Sequence, residues 1–226
     1  MGYGFVENLA FLWDCVLGLI YCNDEKCVLC KKDIYDGENI CRTCKDNIKI
    51  CRDRFQIESN NCQFNCYSSS YYSGAMMELI IKLKYKNSFK SGDIIASYMK
   101  DTICNNNIHF DVLTYVPMTR KSFKKRGYNQ GEYLARTLGK HFRKPVVHCL
   151  TKTKDTMDQI GLSREERWNN IYGSFKVYNS CCIKGKSVLL VDDVLTTGAT
   201  AFCCGSELLK NGAKKINILT GAKSRV

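Results

Sequence analysis

Hydrophobic and polar positions change period several times along the chain, and each change marks an element. Phe5, Leu9, Leu12, Val16 and Leu19 recur at helical spacing, which predicts an amphipathic helix within residues 1–21 that packs on the rest of the protein. Polar residues are dense from Asp53 to Ser70. Beyond Tyr71-Tyr72-Ser73-Gly74, positions Met76, Met77, Ile80, Ile81 and Leu83 mark the apolar face of a helix over 75–85, and a second helix is predicted over 93–103. The run Asp111 to Pro117 reads as a buried strand stopped by proline. A helix then runs to about Lys140 with Tyr133, Leu134 and Leu138 turned inward. Short strands are predicted at 146–150 and 172–177. Val188-Leu189-Leu190-Val191 is β-branched-rich and unbroken, the pattern of a strand buried on both faces. Helix 201–210 follows, stopped at Asn211-Gly212, and Lys215–Thr220 supplies a last strand. This alternation predicts an α/β fold with a parallel sheet and flanking helices. The boundary with the polar, cysteine-rich N-terminal part falls near residue 67, giving domains 1–66 and 67–226.

Composition narrows the class. At 226 residues, 45% apolar and 25% charged, the chain suits one globular domain with a small appendage. Basic residues outnumber acidic ones 34 to 22, a net charge of +12 that attracts phosphates of any kind. Residues 1–21 carry Glu7, Asn8 and Asp14 within their apolar stretch and no basic leading segment, so neither an export signal nor a membrane span is expected. A cytoplasmic protein with reduced thiols is the expectation, although 15 cysteines in a short secreted chain would read as a disulfide scaffold.

Some of those cysteines have metal spacing. Cys27-x-x-Cys30 and Cys41-x-x-Cys44 bracket a ten-residue insert, and two such pairs present four thiolates to one tetrahedral ion. None of the three histidines falls nearby, so the expected metal is a structural zinc in a ribbon; unmetallated thiols are the alternative. Spacing alone does not separate zinc from iron. Cys15, Cys22, Cys51, Cys62 and Cys66 lack a second set of regular gaps, and small buried side chains are their simpler reading.

Chemistry concentrates where the central strand ends. Asp192 and Asp193 stand at its carboxyl end, and Thr196-Thr197-Gly198-Ala199-Thr200 turns into the following helix. Ligands of open α/β sheets bind there. Amides at the helix start and the threonine hydroxyls form a nest for a phosphate. The adjacent acids can accept from the hydroxyls of a ribose and help place a sugar-bound magnesium. Gly185-Lys186-Ser187 looks like the end of a P-loop, but position 180 is Ser180 and the string precedes its strand.

The string V-L-L-V-D-D-V-L-T-T-G-A-T resembles the phosphoribosyl pyrophosphate (PRPP) signature of type I phosphoribosyltransferases. A second strand's end carries the most basic part of the chain, Arg120, Lys121, Lys124, Lys125 and Arg126, then Gly127-Tyr128-Asn129-Gln130. If the two strands are neighbours, bases and acids face each other across one cleft. Together with Tyr72-x-Gly74, Lys82-x-Lys84-Tyr85, Val116-Pro117, Leu134-Ala135-Arg136, Gln159 and Arg167-x-x-Asn170, these motifs and the cysteine pairs are similar to the ComF family, linked to DNA uptake in natural transformation. The resemblance implies a type I phosphoribosyltransferase-like sheet preceded by a zinc ribbon, with Pro117–Lys121 as the pyrophosphate loop and residues 151–167 as a mobile hood contacting PRPP through Gln159 and Arg167. Many relatives carry a second regular knuckle, which this sequence lacks. A solvated loop is the simpler reading of 151–167.

The leading expectation is a PRPP-binding protein with magnesium. Asp192 and Asp193 would hold the diol, residues Thr196, Thr197, Gly198, Ala199 and Thr200 the 5-phosphate, and Arg120, Lys121 and Arg126 the pyrophosphate. Were it an enzyme, it would transfer a phosphoribosyl group, a pentosyl transfer, with Asp192, Asp193 and Arg126 as its catalytic residues. Nothing in the sequence identifies an acceptor. The alternative is a non-catalytic competence factor that binds single-stranded DNA through the lysines of 82–90 and the interleaved Tyr85, Phe89, Phe123 and Tyr128. A third reading is a PRPP sensor whose ribbon docks a helicase of the uptake machinery.

Overall fold

The computed structural model describes residues 26–34, 37–59, 62–153, 171 and 173–224. The expected helix within residues 1–21, Cys15, Cys22, and the hood contacts Gln159 and Arg167 lie outside the described residues. Two compact units comprise residues 1–41 and 42–226. In the first, Cys27 N donates to Lys32 O at 2.8 Å and Val28 N to Asn39 O at 3.0 Å, folding the segment into a knuckle.

The second unit contains α1 (Arg42–Asp46), β1 (Arg54–Ser59), β2 (Cys62–Tyr71), α2 (Gly74–Tyr85), α3 (Phe89–Asn105), β3 (Val112–Tyr115), α4 (Arg120–Arg126), α5 (Gln130–Phe142), β4 (Leu150–Lys152), β5 (Phe175–Val177), β6 (Ser187–Leu195), α6 (Ala199–Lys210) and β7 (Lys215–Lys223). One sheet has the order β1-β2-β7-β6-β3, parallel from β2 to β3, with β1 antiparallel at the edge. The two strands whose ends carry the acidic and basic motifs are therefore neighbours: Tyr115 pairs with Val191. Strands β4 and β5 form a separate antiparallel pair.

Burial on both faces explains why β6 reads as an unbroken apolar run. Val188 and Leu190 join Phe202, Cys204 and Leu208 of α6 in one core cluster. On the opposite face lies α5, where a Cβ at Gly139 would meet Leu113 in ordinary contact at 3.8 Å and press on Val146 Cγ2 at 2.6 Å. Among the described residues, no helix is long and apolar enough to cross a membrane.

The structure departs from the sequence pattern in three places. A boundary near residue 67 would cut β2, whose residues Asn65 to Tyr71 pair with Asn217 to Lys223 of β7; the compact units divide at 41/42 instead. The polar stretch 53–70 forms the β1–β2 hairpin, because its serines are satisfied inside the sheet. Ser68 Oγ lies 2.7 Å from Thr220 Oγ1, and Ser70 Oγ donates to Gly221 O at 3.0 Å. In α2 the inward face is Met76, Leu79, Ile80 and Leu83, spaced i, i+3, i+4, i+7, while Met77 is 38% exposed.

Candidate functional site

The carboxyl ends of β2, β7 and β6 meet around one cavity of about 380 Å³. Tyr72 N donates to Lys223 O and Ser224 N to Leu195 O, both at 2.8 Å, so hydrogen bonding carries the sheet up to the cavity floor. Asp192, Asp193, Thr196, Gly198 and Thr200 line the cavity together. Thr197 sits beside them, its hydroxyl accepting from Ala199 N at 3.4 Å where α6 begins. Ala199 itself is buried in the core, which anchors the first turn of that helix. Gly198 has φ +83°, and a Cβ there would lie 2.6 Å from Ile57 Cδ1 of β1, so both the turn and its neighbour require glycine.

β6 continues through both acids to Leu195 rather than ending at Val191. In a strand, successive side chains point to opposite faces, and the two acids have different surroundings. Asp193 is buried, its Oδ2 3.0 Å from Lys84 Nζ of α2. Asp192 Oδ1 accepts from Asp193 N at 2.8 Å. Burial and the neighbouring Asp193 charge push Asp192 up to about 7, against that hydrogen bond and the pull of Lys84. Burial opposes the Lys84 ammonium as well, but attraction to Asp193 and Asp192 outweighs it and raises its pKa. One acid is thus already held by an internal cation. The other, Asp192, is the more available to a ligand.

The basic segment is split. Thr119 Oγ1 accepts from Ser122 N at 3.1 Å to start α4, and Gly127 at φ +83° ends it. Arg126 donates to Gln130 Oε1 and stacks 5.4 Å over the Tyr85 ring. Gln130 lines the acid-and-threonine cavity; Arg120 lines a different one, and Lys121 is exposed on α4. Of the expected pyrophosphate contacts, Arg126 reaches the cavity through a cavity-lining partner, and the structure does not bring Arg120 or Lys121 to the acids. Lys84, Tyr72 and Gln130 are cavity residues that the sequence reading left off its site. Their signal was present in the motifs Tyr72-x-Gly74, Lys82-x-Lys84-Tyr85 and Asn129-Gln130, but a lysine at a helix end also suits the helix macrodipole.

The ligand atoms of Cys27, Cys30, Cys41 and Cys44 all lie within 4.8 Å of one another, with Cys30 and Cys41 sulfurs 3.5 Å apart. A tetrahedron of thiolates around zinc has sulfur-to-sulfur edges of about 3.8 Å, so the four side chains fit that ion. Cys41 N donates to Cys27 Sγ at 3.3 Å, the kind of amide contact that supports a thiolate ligand. Among the described residues no other cluster has metal-ligating geometry. Cys51 and Cys66 are buried, and burial raises the Cys66 thiol to about 12.

Fold and site define an α/β protein with a mainly parallel sheet, a cavity at the strands' carboxyl ends and an N-terminal four-cysteine cluster. Its homologues include proteins named for competence and for DNA utilization. The chain is 25% identical to Competence protein F of Haemophilus influenzae over 85% of its length and 94% of that protein. Identity to Competence protein ComFC of Bacillus subtilis is 25%, covering 76% of this chain and 67% of that one. DNA utilization protein YhgH of Escherichia coli is 30% identical over 48% of this chain and 47% of its own length. No family model matches the chain. Similar solved structures include adenine phosphoribosyltransferase from Thermoanaerobacter pseudethanolicus, 12% identical with a TM-score of 0.41 over 81% of this chain and 98% of that one. The glutamine PRPP amidotransferase of B. subtilis is 19% identical, with a TM-score of 0.40 over 58% of this chain and 26% of that one.

Proposed function

We propose that this chain is a ComF-type competence factor that binds PRPP with magnesium and serves DNA uptake during natural transformation. The observation that carries the reading is the single cavity of about 380 Å³ shared by Asp192, Asp193 and the hydroxyl turn Thr196–Thr200. In this reading the acids supply a diol site and the threonine turn a phosphate site for one sugar phosphate. Asp192 accepts from the ribose hydroxyls; Asp193, tied to Lys84, fixes the shape of the floor. Thr196, Thr197 and Thr200, with the amides of the first turn of α6, hold the 5-phosphate. Arg126 faces the pyrophosphate from the opposite strand's loop, with Arg120 and Lys121 contributing charge to the approach. Asp192 carries the oxygens that a sugar-bound magnesium takes, and bound magnesium supplies positive charge to the pyrophosphate. With an acceptor present, a nucleophile attacks C1 of the ribose while the C1–O bond to pyrophosphate breaks; positioning and charge stabilisation are the protein's contribution.

Calorimetric titration with PRPP, with and without magnesium, tests the reading. Micromolar, magnesium-dependent binding that Asp193→Asn abolishes is the expected result. No binding in either condition would count against it and turn attention to DNA.

A second reading has its own observation. Tyr85, Phe89 and Phe123 are 69%, 45% and 46% exposed beside Lys82, Lys86 and Lys124, and the Arg126 guanidinium stacks on Tyr85. Exposed aromatics among cations suit the bases and backbone of single-stranded DNA. Reversing the charge at Lys124 and Lys125 should then weaken DNA binding while Asp193→Asn spares it.

A further inference from the structure

The sheet ends at β1, and that edge is open. β1 is last in the strand order and pairs with β2 alone, from Arg54 opposite Tyr67 to Ser59 opposite Cys62. Among the described residues no backbone bond leaves its other side. Every second residue of an antiparallel strand directs its N–H and C=O to one side, so the outer edge is a row of unmatched donors and acceptors. Its six residues make a strand of ordinary length, enough to template another.

The side chains of β1 divide between the two faces of the sheet. Ile57 is buried in the core cluster, and Phe55 packs half-buried against the same cluster with Lys223 Nζ 4.4 Å from its ring centre. Arg54, Gln56 and Glu58 alternate with them and are exposed. Side chains of β2 hold this polar row in order. Arg54 Nη2 donates to Asn65 Oδ1 at 2.6 Å, Gln56 Nε2 donates to the same oxygen at 3.3 Å, and Gln63 Nε2 donates to Gln56 Oε1 at 2.8 Å. A guanidinium has five N–H donors, so the contact with Asn65 leaves Arg54 able to meet a carboxylate as well.

Protective edges carry charges that repel another chain. β1 instead carries opposite charges, Arg54 and Glu58, with Gln56 midway between them. Turned about a two-fold axis through Gln56, a second copy of the strand runs antiparallel. Its Glu58 then stands opposite Arg54, its Arg54 opposite Glu58, and Gln56 meets Gln56. The same register sets Phe55 against Ile57 on the core side, so polar meets polar and apolar meets apolar. Registers centred on Phe55 or Ile57 put a charge opposite Gln56 instead.

We infer that the β1 edge is a homodimer interface, in which two copies pair β1 with β1 about Gln56 and their two five-stranded sheets become one. Opposite charges and apolar pairs across strands attract, and like charges directly opposite repel by similar amounts. Two-fold symmetry makes each such pair occur twice. The contacts between Phe55 and Ile57 also carry the core cluster across the axis and cover the half-buried ring.

Sedimentation equilibrium of the intact, metal-replete chain tests the inference. A reversible monomer–dimer equilibrium is expected. Arg54→Glu makes both charges along β1 acidic and Glu58→Arg makes both basic, so each alone should weaken the dimer about tenfold. Combined in one chain, the two substitutions restore opposite charges across the axis and should recover association. A mixture of the two single variants should form the heterodimer in preference to either homodimer. Both side chains are exposed, and recovery by the combined variant separates lost pairing from lost folding. A monomer at every concentration up to about 1 mM, the result also expected if the edge serves a strand of another protein, would overturn the inference. So would a dimer whose strength neither single variant changes.

Discussion

Lys84 Nζ stands 3.0 Å from Asp193 Oδ2, joining the last turn of α2 to the carboxyl end of β6. The carboxylate side chain is 5% exposed and the lysine 21%, so this is a nearly buried pair whose two charges depend on each other. It holds one of the two cavity acids in place before any ligand arrives.

Removing one partner should therefore cost more than removing both. Lys84→Met is expected to lower stability by about 3 kcal/mol, because it strands a buried carboxylate. Lys84→Met combined with Asp193→Asn should recover most of that loss. Urea unfolding of the two variants checks the pair, and equal destabilisation would show that the charges are not coupled.

The raised pKa of Asp192, about 7 against 3.8 in the unfolded chain, sets a pH dependence. Between those values the folded state holds a proton that the unfolded state has lost. Its contribution to stability is thus greatest below pH 4, falls as pH rises toward 7 and is flat above. The difference in unfolding free energy between the wild type and Asp192→Asn should show this slope. Affinity for a ligand that needs the ionised carboxylate should run the other way, rising through neutral pH.

Gly198→Ala should destabilise the protein by about 2 kcal/mol, since φ is +83° and the new Cβ would press on Ile57 Cδ1. Ile57→Ala in the same chain should recover the steric part and leave the backbone part. Thermal denaturation of the single and double variants measures the split; full recovery would mean that the left-handed backbone costs nothing.

The four-cysteine cluster should hold about one zinc per chain. Cys44→Ser is expected to lose the metal on chelation far more readily than the wild type, read by metal analysis after dialysis. Hydrogen exchange should then speed up in the Cys27–Lys32 knuckle while amides of β6 and β7 stay protected. Metal retention by Cys44→Ser equal to that of the wild type would remove Cys44 from the ligand set.

Local patterns made much of this molecule legible. The β6 run is apolar throughout because α6 covers one face and α5 the other, and the helix at 199–210 announces itself through Gly198 before it and Asn211-Gly212 after it. That β3 and β6 are neighbours stands in the sequence only as a condition, and the pairing of Tyr115 with Val191 meets it. Hydrophobicity missed the β1–β2 hairpin because Ser68, Ser69 and Ser70 occupy buried strand positions where apolar residues are ordinarily found. Their hydroxyls are compatible with the interior only through Thr220, Gly221 and Thr102. The basic segment 120–126 misled in the opposite sense. Its charges sit close in sequence, but a helical turn sends Arg120 to one cavity and Arg126 toward another.

The sequence by itself determined the acid pair, the threonine–glycine turn and the paired cysteines. These are short-range devices, fixed by chain stereochemistry, strand period and ligand spacing. Only the tertiary structure decided that Lys84 neutralises Asp193, that the serine-rich strand enters the sheet beside β7, and that a second cavity opens beyond Asn129. Burial and charge pairing depend on groups far apart along the chain, and their partners are specified only when folding brings them together.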